Sequence, residues 1–204
     1  MMEMSEAAPW MHGLDSKSRK DGKKMEAIKT AEKDGKILRV YADECPEDPR
    51  KQFDHLGKMA CFHRRHMLGD ETGKSMEDCI LTENDPRVTS LPLYLLDHSG
   101  LSMRTGDFGD PWDSGRIGLI WIEAEDFKRE FGRRTVGNIA KAVRLLKAEV
   151  AEYDAWLQGE VYGWAVADRT DGAEETEEDS CWGYYGWESL LAGLPEGWKR
   201  EDLR

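Results

Sequence analysis

The sequence predicts an α+β fold: a single domain built on an antiparallel or mixed sheet of about five or six strands, covered on one face by one long helix and preceded by a flexible polar tail. Three observations predict it. One apolar stripe recurs at helical spacing through residues 136–159, several shorter stretches alternate with the two-residue period of strands, and the 204-residue chain is 39% apolar, enough for one sizeable core.

Residues 1–35 are polar and Lys-rich with weak periodicity, ending in KKMEAIKTAEKDG, which predicts a flexible tail closing on one marginal helix. The ordered domain is then expected over 36–204. KILRVYAD (36–43) reads as its first strand, through Ile37, Leu38, Val40 and Tyr41. After a proline-broken loop and a mixed stretch, LPLYLLDHSGLSMR (91–104) places two apolar runs around a turn-forming DHSG, a hairpin signature. GRIGLIWIEA (115–124) alternates Ile117, Leu119 and Trp121 against Gly118, Ile120 and Ile122, so a strand buried on both faces is expected. AEDFKREFG predicts a short helix stopped by Gly132. In the long helix Ile139, Val143, Leu146, Val150, Tyr153 and Leu157 form the stripe, Glu149 and Glu152 lie off it, and Gly159 supplies the stop. Two last strands, 161–167 and 180–187, bracket the acidic connector DRTDGAEETEED, whose carboxylates are expected at a solvated hairpin tip while Trp182 and Tyr184 face the core.

Charge narrows the function classes. The chain carries 29 basic against 41 acidic residues, a net of −12, and residues 1–36 are close to balanced, so the acidity belongs to the predicted domain. Sites that hold a phosphate backbone need clustered Lys and Arg, which argues against nucleic acid as the direct ligand. Four cysteines without CxxC pairing suit a reducing compartment, and no apolar run of spanning length occurs, so a cytoplasmic protein without membrane or export segments is expected.

Several clusters invite chemistry. CFHRRH with a downstream cysteine supplies Cys61, His63, His66 and Cys79, which are zinc-ligand residue types, but the spacing departs from the usual ligand patterns and no metal or other cofactor is expected. Asp97, His98 and Ser99 adjoin one another, yet neighbours in sequence normally point apart, so a turn in which Asp97 and Ser99 bond to amides is the simpler account. Asp107, Asp110 and Asp113 lie three apart among glycines without the terminal Glu of a calcium loop, and also read as turn residues. Cys181 adjoins an acid run that would raise its pKa, which favours packing over nucleophilic chemistry. The strongest charge feature is the connector with Asp168, Asp171, Glu174, Glu175, Glu177, Glu178 and Asp179, an array suited to steering a basic partner surface.

YADECPEDPRKQFDHLGKMACFHRRHMLGDE, LPLYLLDHSG, PWDSGRIGLIWI, AEVAEYDAWLQGEVYGWAV and DSCWGYYG together resemble an uncharacterised family of small bacteriophage and prophage proteins, over roughly residues 38–187. The resemblance implies a phage setting. By analogy of setting, the expected function is inhibition of a bacterial defence protein or ribonucleoprotein complex, of the anti-CRISPR or anti-restriction type, by direct protein binding through the acidic connector. One alternative is a module that sequesters a nucleotide signal by stacking it on Trp121, Trp164, Trp182 or Tyr184. Another is a metal-dependent or acid–base enzyme using His63, His66, Asp97 or His98.

Overall fold

The computed structural model describes residues 25–168 and 176–203. An α+β architecture results, and every strand pairing in it is antiparallel. The strands divide into two four-stranded sheets rather than one.

The first sheet joins the two ends of the described chain. β1 (Lys29–Lys33) and β2 (Lys36–Ala42) form a hairpin, and β2 pairs with β7 (Val161–Asp168), which pairs with β8 (Thr176–Tyr185), giving the order β1-β2-β7-β8. β1 falls inside the stretch expected to be tail, where a helix was expected. The reason is local: Asp34 and Gly35 both adopt positive φ, the two-residue turn that closes a hairpin, and Ala31 buries against the sheet. One face of this sheet presents Leu38, Val40, Trp164, Val166 and Tyr184, covered by α5 (Trp187–Ala192) and the chain after it through Leu190, Leu194, Trp198 and Leu203.

Residues 43–160, inserted between β2 and β7, build the second layer. They contribute α1 (Pro49–Gln52), β3 (Lys58–Cys61), α2 (Met76–Asn84), β4 (Thr89–Asp97), β5 (Leu101–Arg104), β6 (Ser114–Ile122), α3 (Ala124–Phe131) and α4 (Val136–Leu157). The sheet order is β3-β6-β4-β5. The β4–β5 hairpin turns within the expected DHSG, at His98, Ser99 (φ 57°) and Gly100, but Asp97, expected to bond to turn amides, ends β4 opposite Leu101 and gives its carboxylate to Arg65. β6 is the central strand buried on both faces, as its apolar run requires. A bulge reverses its alternation: Leu93 pairs with Gly118 and Tyr94 with Arg116, so Ile117 turns to the same side as Ile120 and Ile122.

α4 begins at Thr135, whose hydroxyl accepts the amide of Asn138, and its stripe of Leu146, Val150 and Tyr153 packs on Met59, Leu93, Leu95, Ile120 and Ile122. The opposite face of the sheet holds Ala60, Leu119 and Trp121 against Cys79 of α2. The two layers meet where Tyr185 of β8 donates its hydroxyl proton to the Glu47 carbonyl at 2.8 Å, and within the second layer Trp156 Nε1 donates to the neighbouring Pro46 carbonyl at 3.2 Å. No helix among the described residues is long and apolar enough to cross a membrane.

Candidate functional site

β8 lies at the edge of the first sheet, and its N-terminal half carries Glu177, Glu178 and Asp179, all exposed. These acids belong to the strand rather than to the hairpin tip where they were expected. Pairing with β7 continues through Asp168 opposite Thr176 and Ala167 opposite Glu177, and an edge strand tolerates charged side chains because one flank faces water. A register shift leaves Glu178 without an opposite number on β7, and its carboxylate reaches the Lys36 ammonium at 2.5 Å. That hydrogen bond raises the Lys36 pKa. Asp168 ends β7 opposite Lys36, while Asp171, Glu174 and Glu175 lie outside the described residues.

The rings proposed for stacking do not form a ligand surface. Trp121 is wholly buried, with Nε1 donating to Glu123 at 2.8 Å and the Lys74 ammonium 5.3 Å from the ring centroid on its π face. Trp164 Nε1 donates to the Tyr184 hydroxyl at 3.1 Å and the Gly193 carbonyl at 2.9 Å, so both rings are core members with satisfied polar tips. Trp182 departs from expectation in the other direction. It is 37% exposed, lies flat across Gly163 and stacks on Tyr41 with ring centroids 5.9 Å apart, on the face away from the core.

The cysteine-histidine set divides in the same way. Cys61 packs with the α4 face of the second sheet and Cys79 with the α2 face, so the four residues cannot converge on one ion. Burial pushes the Cys61 thiol up to about 12, as befits a packing cysteine. The histidines nonetheless meet a different partner. The chain after β3 turns sharply, with the amides of Arg65 and His66 donating to His63 Nδ1 at 3.4 and 3.3 Å, and the two imidazoles stack with centroids 5.0 Å apart and planes 11° from parallel. Asp97, the last residue of β4, brings Oδ2 to 3.8 Å from Nε2 of both His63 and His66, and Arg65 also bonds to this oxygen.

Next to the cluster a cavity of about 270 Å³ is lined by His63, Arg65, Asp97, Trp112 and Asp113. Asp113 holds this end of the sheet together: its carbonyl accepts the Asp97 amide at 2.8 Å and its carboxylate lies 2.7 Å from His98 Nδ1. The expected turn roles of the preceding aspartates are present. Asp107 accepts the Gly109 amide, and Asp110 accepts the amides of Trp112 and Asp113, which hold its carboxyl below the usual range. Trp112, 91% exposed at the cavity mouth, escaped the sequence reading because PWDSG scans as turn chemistry alone. The HxxH spacing was the visible signal for the histidine pair; its carboxylate partner lies on another strand. No family model, curated protein or solved structure matches the chain.

Proposed function

We propose that this protein is a phage accessory factor that inhibits a bacterial defence protein or ribonucleoprotein complex in the host cytoplasm, docking on it through the acidic edge of the first sheet. The observation that carries the reading is the exposure of Glu177, Glu178 and Asp179 on the outermost strand. Defence complexes that handle nucleic acid need basic grooves to hold phosphates. Glu177 and Asp179 stand opposite Ala167 and Val166 and so point to opposite faces of β8, which spreads the charge around the strand edge. The net charge of −12 adds long-range attraction to a cationic groove. The resemblance to phage proteins supplies the biological setting.

The test is phage plating on bacteria that carry a defined CRISPR or restriction system, with and without the protein. The native chain restores plaque formation against at least one system, and the Glu177→Gln, Glu178→Gln, Asp179→Asn variant, expressed at the same level and melting at the same temperature, does not. Equal protection by the neutralised variant would show that these acids only keep an open strand edge from pairing with other chains.

A further inference from the structure

We propose that His63, His66 and Asp97 form a binding site for a divalent transition-metal ion of the zinc class, with at least one coordination position left open toward the adjoining cavity. Each residue offers one ligand atom, and these atoms all lie within 4.8 Å of one another. Two imidazoles and one carboxylate are the donor mixture that borderline ions such as Zn²⁺ accept, whereas Ca²⁺ and Mg²⁺ require oxygen. Size agrees as well. Bonds of about 2.1 Å in a tetrahedral arrangement separate donor atoms by about 3.4 Å, and Asp97 Oδ2 lies 3.8 Å from both Nε2 atoms, so the carboxylate has only a few tenths of an ångström to close, while the imidazoles, stacked 11° from parallel, must rotate to aim both Nε2 atoms at one ion. Three protein donors leave the fourth position for water or a ligand, which is the pattern of reactive rather than structural sites. The neighbouring space holds the Asp113 carboxylate and the exposed Trp112 ring.

Two features of the metal-free arrangement weaken the site in a predictable way. Arg65 occupies the same Asp97 oxygen that would bind the ion, so cation and guanidinium compete. His63 Nδ1 accepts two backbone amides, which places its proton on Nε2. Ligation through Nε2 moves that proton to Nδ1 and costs both amide contacts, which at 3.3 and 3.4 Å are long and weak. The ion therefore binds together with a small rearrangement of residues 63–66. This proposal is independent of the acidic edge on the other sheet.

The experiment is calorimetric titration of the full, chelator-treated chain with Zn²⁺ alone. The native protein binds one ion at this site. Asp97→Asn and His66→Ala weaken binding at least about tenfold, while His98→Ala leaves it unchanged. Arg65→Gln tightens binding because it removes the competing cation, a gain that misfolding cannot imitate. Chelation of the zinc-loaded chain returns the melting temperature to that of the metal-free protein without abolishing cooperative unfolding, because the cores form without the ion. Absence of Zn²⁺ binding at millimolar concentration overturns the proposal, as does equal affinity in the native, Asp97→Asn and His66→Ala proteins. Weaker binding in Arg65→Gln, or a loss in His98→Ala equal to that in His66→Ala, also overturns it.

Discussion

Arg50 ties α1 to the second layer through charge. Its guanidinium, 2% exposed, forms a two-point pair with Asp70 at 2.8 and 2.7 Å and reaches Glu149 of α4 at 3.0 Å. Each acid is also held by the backbone, Asp70 by the Met59 amide and Glu149 by the amides of Leu56 and Gly57. Removing one member of such a group leaves buried charge without compensation, which typically costs about 3–5 kcal/mol. Arg50→Met should therefore lower the unfolding free energy in urea by about that amount. A loss below about 1 kcal/mol would mean that Asp70 and Glu149 re-solvate freely and that the pairing holds nothing. Helical periodicity places Glu149 off the apolar stripe, and so among the solvated positions. Its burial was not legible because the partner lies 99 residues away, in a four-residue helix with no pattern of its own.

At the scale of elements, the sequence revealed what periodicity can reveal. α4, the β4–β5 hairpin and the doubly buried β6 stand where their apolar patterns put them. Bulges were invisible, since an inserted residue changes facing without changing composition. One of them governs Trp182. β8 supplies two residues, Trp182 and Gly183, opposite Gly163 of β7, and the indole falls flat on the glycine, where a Cβ would stand 2.3 Å from the ring. Because the ring keeps about a third of its surface in water, Trp182→Ala should cost about 1–2 kcal/mol rather than the larger loss of a core tryptophan. Gly163→Ala should destabilise the native protein by displacing the ring, yet be neutral or stabilising when Trp182 is already Ala. Denaturant unfolding of both single variants and the double variant measures the coupling, and additive effects would show that the indole does not rest on that glycine.

Across the whole molecule, one sheet is interrupted in sequence by the other. β2 and β7 are neighbours in space although residues 43–160 separate them, and nothing in either strand's composition names its partner. The alternation that identifies strands therefore gave the fold class but not the division into two sheets. The same separation hid the meeting of His63 and His66 with Asp97, whereas the acid run of β8 is contiguous and was visible from the start. The arrangement places the two candidate surfaces on different sheets, so neutralising Glu177, Glu178 and Asp179 should leave Zn²⁺ binding unchanged. The most direct measurement for the proposed inhibition is the association rate with the purified defence complex against which the protein protects, for the native chain and the triple-neutral variant. Between about 0.1 M and about 1 M salt the screening length falls from about 10 Å to about 3 Å. The native rate should fall steeply over that range, and the variant should bind slowly at low salt with little further change. Equal rates for the two proteins at low salt would contradict a docking role for the acidic edge.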